Sequence, residues 1–365
     1  MRSKEKVKYP RHFTGLTFIS NIGMIFETVT HHLKLSTLIR FLTLPVIRGF
    51  QWAYNSFVEH SNWFFMLRYF YIIIPLFTEF ATSFELFVYG LGNVGLEVSR
   101  TLSRSEWIVH GTTRRSNLEL DLYNIPPEDI PVYLSKATHV LITIPATSDI
   151  SSNVLSQVSG SISENCRWVG FVSTTGVYGN HDGAWVTEES ELLSNSESTM
   201  SYIQYETMLR SSLKNTPLAI FRCSGLYGQT RSALHTLWKE GFQSKFSSSN
   251  IYPTNRIHEH DVARAIVNCM RLECGGIFNL SDDEPELRSV VQQYAHELLS
   301  EKGISIPEKL SKQDAVTKRT SRRKSDWKLV DNRKMKEELI QKLVFPTYRE
   351  GLNAIMADRR NSWWS

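Results

Sequence analysis

From residue 84 onward the chain alternates two hydrophobic rhythms. Short runs rich in β-branched and aromatic residues, at 86–89, 107–111, 139–144, 168–173, 218–223 and 277–280, have the length and composition of strands. Between them, 94–102, 150–162, 202–213, 261–272 and 288–299 carry apolar residues at helical spacing. Strands that alternate with helices predict an α/β fold, a Rossmann-type doubly wound parallel sheet. No internal repeat interrupts the pattern.

Residues 1–83 read differently. Arg2, Lys4, Lys6, Lys8 and Arg11 open the chain, scattered apolar stretches come next, and an apolar run occupies 63–78. A bilayer-spanning helix needs roughly 20 apolar residues, and this run of 16 holds Arg68 and Pro75. Three readings stand side by side: an organelle-targeting extension, an interfacial or membrane-anchoring helix through 63–78, and an untranslated stretch fused in front of the domain. The basic, acid-poor start puts targeting first, with a plastid ahead of a mitochondrion and the cytoplasm as the alternative. The domain from residue 84 onward is expected to fold without this segment.

Composition narrows the function classes. With 365 residues, 41% hydrophobic and 21% charged, the chain is neither a disulfide-stapled miniature nor a disordered polyampholyte. Nine Lys/Arg against four Asp/Glu fall within residues 1–84, so the net charge of +4 leaves the remainder near −1. A neutral body offers no phosphate-tracking surface, and no nucleic-acid partner is expected. The cysteines Cys166, Cys223, Cys269 and Cys274 lack zinc-knuckle spacing and read as reduced structural thiols. Asp282-Asp283-Glu284 has no matching ligand set, so no metal site is expected.

The first chemical signal is Gly90-Leu91-Gly92-Asn93-Val94-Gly95, a GxGxxG that ends a strand and opens a helix. In that context Gly90 permits the tight turn, Gly92 admits a pyrophosphate, and Gly95 lets helix pack on strand, while the helix N-terminus supplies amide donors. An acid after the second strand would bind a free ribose 2′-hydroxyl. The chain has Thr112-Thr113-Arg114-Arg115 there instead, and guanidinium groups suit a 2′-phosphate. NADP is therefore expected over NAD, with Gly90, Gly92, Asn93, Val94, Gly95, Arg114, Arg115 and Pro145 as the cofactor-binding set; solvated loop arginines are the alternative.

Residues 168–179 (WVGFVSTTGVYG) resemble the strand and active-site turn of extended short-chain dehydrogenase/reductases, the NAD-dependent epimerase/dehydratase-like family. Residues 221–228 (FRCSGLYG), 256–263 (RIHEHDVA) and 277–285 (IFNLSDDEP) resemble later segments of the same family in order and spacing. Val177-Tyr178-Gly179, Gly183 to Val186, Arg231-Ser232-Ala233 and residues 346–352 are similar to an atypical subgroup of bacteria and plastid-bearing eukaryotes. The resemblance spans 84 to about 357. It implies a cofactor domain over 84–228, completed by about 256–284, and a smaller C-terminal substrate domain from 229–255 and 286–357. It also implies hydride transfer at a carbinol or ketone of a small-molecule substrate, as a reductase or an epimerase.

The resemblance also exposes a gap. In active members a Ser or Thr orients the substrate hydroxyl, a Tyr exchanges the proton and a Lys four residues later lowers its pKa. Thr174 fills the first role, but alignment on Glu206 puts Tyr202 where Lys belongs and Ser198 where Tyr belongs. Thr174, Tyr202 and Tyr205 are the catalytic candidates, with structural tyrosines as the alternative. Tyr178, Trp185, Arg231, Arg256 and His258 are the substrate candidates because the matching family segments line the cleft; an Arg256–Asp261 ion pair is the alternative for Arg256. A non-catalytic NADP-binding sensor or assembly subunit remains the rival reading. The basic run 318–324 reads as a solvated linker and 244–250 as a Ser-rich loop.

Overall fold

Phe84–Tyr89 (β1) is buried on both faces: Leu86 and Val88 enter one apolar core, Phe87 and Tyr89 the other. That double burial is what a central parallel strand requires, because helices cover both sides of the sheet. In the computed structural model, which describes residues 84–102, 106–114, 123–146, 148–240, 252–306 and 327–358, helix α1 (Asn93–Thr101) follows β1. The chain continues through β2 (Trp107–Thr112), β3 (Tyr123–Asn124), α2 (Ile130–Lys136), β4 (His139–Ile142), α3 (Ser148–Ser161) and β5 (Trp168–Thr174). The expectations for 1–83 with its run 63–78, for Arg115, and for 244–250 and 318–324 lie outside the described residues. No helix among the described residues is long and apolar enough to cross a membrane.

A 3-10 turn over Thr175–Tyr178 leads to β6 (Trp185–Val186), α4 (Glu197–Ser212), β7 (Leu218–Cys223), β8 (Gly225–Tyr227) and α5 (Ala233–Glu240). β9 (Pro253–Thr254), β10 (Arg256–His258), α6 (Glu259–Leu272) and β11 (Gly276–Leu280) come next. The last elements are β12 (Glu286–Leu287), α7 (Arg288–Glu301), β13 (Leu329–Val330), α8 (Arg333–Glu338) and α9 (Tyr348–Ala357). Seven strands form one parallel sheet in the order β3-β2-β1-β4-β5-β7-β11. The order reverses between β1 and β4, and such a switch point leaves a crevice at the strands' C-terminal ends. α1 and α6 close one face through Val94, Val98, Val262, Ile266 and Met270; α2, α3 and α4 close the other through Leu134, Val158 and Leu209.

All six expected strands are present, each within two residues of its expected ends. The two-residue β3 has no periodicity to find, and α2, only seven residues long, begins with Pro131 at its first turn, which masked it in the sequence. A third, smaller core joins α5, α7 and α9 through Leu234, Leu237, Ala295, Leu299, Leu352 and Ile355. Not all of 286–357 belongs to it. Met335, Leu339, Ile340 and Leu343 join the large core beside α6 instead, so the α8 segment is a buttress of the main sheet. The cysteines also need correcting: Cys269 and Cys274 are disulfide-bonded across the turn that ends α6, where left-handed Glu273 brings their Cα atoms to 5.2 Å. Cys166 and Cys223 are free and buried.

Candidate functional site at the glycine turn

The three fingerprint glycines divide into two that the protein uses and one that it leaves open. Gly90 has φ +97°, and a Cβ there would meet Ile144 Cγ2 at 2.7 Å and Thr143 Oγ1 at 2.9 Å. At Gly95 a Cβ would stand 2.5 Å from the Gly90 carbonyl oxygen, which is the close helix-on-strand contact. Gly92 caps α1 with extended backbone, and a Cβ built on it meets nothing within 4 Å. The turn is held from below: the Gly90 and Leu91 amides donate to Thr112 Oγ1 (3.1 Å) and the Thr112 carbonyl (2.7 Å), and Thr143 donates its hydroxyl to the Gly90 carbonyl. Thr143 was not anticipated. Val94 is buried, so its side chain serves the core and only its backbone is available to a ligand.

Arg114 follows β2 at the surface, next to the strand that carries the turn, and has no ion-pair or hydrogen-bond partner among the described residues. Pro145, past β4, is exposed on the other side of the switch point. One residue on, the Ala146 backbone forms a hydrogen bond with the Tyr202 hydroxyl, which brings α4 to the same edge. Tyr202 is half-buried and its ring lies over Phe171 at 6.1 Å. Burial pushes its phenol above the usual range, and no cation among the described residues opposes the shift. Thr174, half-buried at the end of β5, accepts from the Gly176 amide at 3.0 Å and so caps the 3-10 turn. Ser198, in the position where the family carries its tyrosine, is exposed on α4.

Four candidates are buried in the structure. Tyr205 is 2% exposed, edge-on to Phe171 at 4.9 Å, and burial drives its phenol well above its ordinary pKa. It belongs to the core. Tyr178 is fully buried; its hydroxyl donates to Asn279 Oδ1 at 2.6 Å and accepts from Arg222 Nη1 at 3.0 Å. Arg256 is buried and donates to the Glu284 and Glu286 carbonyls and to Thr254 Oγ1, so it clamps a loop. Its expected partner Asp261 instead bonds Arg264 and the Val344 and Phe345 amides. His258 caps α6 by accepting from the His260 amide at 3.1 Å; packed between Tyr227 and Phe345, it is pushed by burial down to about 4 and stays neutral. Trp185 sits on β6 with its side chain exposed, and Arg231 is exposed in the turn after β8.

Beneath Thr174 lies a buried ionic network that the sequence did not reveal. Arg222 on β7 pairs with Glu206 on α4 through Nη2 (2.7 Å) and Nε (3.3 Å), and Ser173 donates to the same carboxylate at 2.5 Å. The Asn279 backbone N–H donates to Glu188 Oε1 at 2.8 Å. These bonds tie β5, β7, β11, α4 and the Tyr178 turn together below the site. A clue was available in Arg222, a charge in the middle of an otherwise apolar strand.

On α1 itself, Glu97 meets His260 of α6, Nδ1 to Oε1 at 2.8 Å. The hydrogen bond to Glu97 raises the histidine above its ordinary value, and the same bond lowers the carboxyl. A raised histidine stabilises the fold fully below about pH 6.5 and loses that contribution as pH rises through its folded value; a lowered carboxyl contributes above about pH 4.5 and loses it on acidification. The pair is partly exposed, so its contribution stays below about 1 kcal/mol. The melting temperature of the wild type should therefore fall more steeply from pH 6 to 8 than that of His260→Gln, read by differential scanning calorimetry. Parallel slopes would exclude the linkage.

The switch point, the glycine turn and the helix behind it define a Rossmann-type doubly wound α/β fold. No family model matches the chain, and no curated protein matches it. Solved structures do. A functionally unknown conserved protein from Silicibacter pomeroyi is 28% identical, with a TM-score of 0.60 over 75% of this chain and 99% of its own. UDP-glucuronic acid 4-epimerase from Bacillus cereus, solved with NAD, is 18% identical with a TM-score of 0.57 over 77% of this chain and 100% of its own. A short-chain dehydrogenase/reductase superfamily protein from Agrobacterium tumefaciens with bound NAD is 14% identical, TM-score 0.55, over 75% and 97%. The chain has the fold of the short-chain dehydrogenase/reductases in their extended, epimerase-like form.

Proposed function

We propose that this chain binds NADP across the Gly92 turn and uses it for hydride transfer at a carbinol or ketone, as a reductase or as an epimerase that oxidises transiently. The observation that carries the reading is the space at Gly92: between two glycines packed against protein, the middle one faces none. A pyrophosphate needs that room, and the first-turn amides of α1 and the helix dipole suit its charge. Gly92, Asn93 and the Val94 backbone would hold the diphosphate, with Arg114 at the 2′-phosphate and Pro145 lining the opposite side. NAD in the structures from B. cereus and A. tumefaciens supports a nicotinamide cofactor; Arg114 turns the preference toward the phosphorylated form.

Bound nicotinamide would supply the hydride donor or acceptor; the chain's own residues bind, orient and move protons. Thr174 positions the substrate oxygen at the end of β5. Tyr202 offers a phenol without the cation that would ready it, and losing acid–base assistance costs about 10² to 10⁴ in rate, so slow or narrow turnover is expected. A second reading, a dinucleotide-binding protein without catalysis, draws on the same facts: Ser198 exposed and Tyr202 unassisted.

Calorimetric titration tests the cofactor. NADPH should bind about tenfold or more tightly than NADH, with the gap closing in Arg114→Ala, since a charge-assisted bond contributes about 1.5 to 3 kcal/mol. Equal affinities in the wild type would remove the NADP assignment. Where turnover is found, Thr174→Ala should abolish it with NADPH affinity unchanged.

A further inference from the structure

The turn after β8 is fastened to the glycine turn from the opposite lobe. Thr230 Oγ1 accepts from Asn93 Nδ2 at 2.6 Å across 137 residues of sequence, and the Gln229 amide donates to Glu259 Oε1 at 3.1 Å. Glu259, 9% exposed at the start of α6, also bonds the Asn93 side chain, so one carboxylate holds both turns. Gly228 allows this approach, because a Cβ there would collide with the Glu259 carboxyl group. The turn closes on itself through the Gly228 and Arg231 backbones (2.8 and 3.3 Å), and Ser232 Oγ accepts from the His235 amide as α5 begins. The next residue after Thr230 is Arg231. It is exposed and has no ion-pair or side-chain hydrogen-bond partner among the described residues.

The glycine turn itself supplies no basic side chain. From Gly90 to Ser99 the chain has no basic side chain, and Arg100 is engaged by Glu97 at 3.4 Å. Glu97 and Glu259 place two carboxylates beside the helix whose N-terminus would receive a diphosphate. Glu97 is already engaged by His260 and Arg100, so a dianion entering there gains from the helix amides and is opposed mainly by Glu259.

We infer that Arg231 is a cofactor residue rather than a substrate residue: the turn Gly228-Gln229-Thr230-Arg231 carries a guanidinium from the smaller lobe to the diphosphate of the dinucleotide. Arginine suits the task because its planar donors match phosphate oxygens in pairs. Occupancy of the glycine turn would then draw the lobes together through Arg231, with the Asn93–Thr230 bond already in place. This assignment rests on the proposed dinucleotide binding.

The test is calorimetric titration of the full chain with three probes: NADPH, ADP-ribose, which keeps the diphosphate, and 2′,5′-ADP, which lacks it. Arg231→Ala should weaken NADPH and ADP-ribose by about tenfold or more and leave 2′,5′-ADP within about twofold. Thr230→Val, which loosens the turn without removing the charge, should weaken the same two probes by less. Unchanged NADPH and ADP-ribose affinities in Arg231→Ala, with wild-type binding intact and abolished by Gly92→Asp, would overturn the assignment of Arg231 alone. Equal loss for all three probes would also overturn it. A wild-type chain that binds none of them would overturn the dinucleotide reading and this inference together.

Discussion

Gly92→Asp should abolish dinucleotide binding while leaving the melting temperature within about 2 °C of wild type, as expected of a surface change away from packed contacts. The two halves of that result have separate causes. Folding is spared because a Cβ at Gly92 meets no atom of the described residues within 4 Å and its backbone is extended, a conformation open to any residue. Binding should be lost because a carboxylate would fill the space proposed for a diphosphate; two like charges about 4 Å apart at an effective dielectric near 20 oppose each other by roughly 4 kcal/mol, close to a thousandfold in affinity. Gly95→Ala is the contrasting control. Its Cβ would stand 2.5 Å from the Gly90 carbonyl, so it should destabilise by about 1 to 3 kcal/mol. Retained NADPH binding in Gly92→Asp, measured by titration calorimetry, would remove the glycine turn from the site.

The largest effect on stability is expected from Arg222→Met. Arg222 and Glu206 are almost fully buried, and removing the guanidinium strands the carboxylate against Ser173 alone while taking a donor from the Tyr178 hydroxyl. Breaking a buried pair from one side typically costs about 3 to 5 kcal/mol, which corresponds to a fall of roughly 5 to 8 °C in melting temperature for a unit of this size. Removing both charges behaves differently. Arg222→Met with Glu206→Leu leaves no uncompensated ion and should recover more than half of the loss. Thermal unfolding tracked by circular dichroism reads both variants. A single variant within about 2 °C of wild type, or a double variant worse than the single, would show that the network does not hold the sheet beneath Thr174.

The same network shows why the candidate site was only partly legible beforehand. Tyr178 lies in a motif whose spacing resembles an active-site turn, and spacing alone does not distinguish a phenol in the cleft from one pointed at Asn279. Arg256 and His258 were placed at the cleft by likeness of segment. Their burial results instead from β10 pairing with β8 and from Phe345 and Tyr348 closing over them, contacts that join residues tens of positions apart and more.

Local pattern was sufficient for much of the rest. The six strand runs, the helix after the glycine turn and the roles of Gly90 and Gly95 were determined by the sequence itself, because strand alternation, helical spacing and a left-handed glycine are properties of neighbouring residues and leave a one-dimensional trace. The tertiary structure decided which side chains remain available for chemistry. It withdrew Tyr178, Tyr205, Arg256 and His258 into the interior, joined Cys269 to Cys274, added the α8 segment to the main core, and brought Thr230 to Asn93. Each outcome arises from burial or pairing between distant segments, where the cost of desolvating a polar group is met by a partner that sequence spacing cannot name.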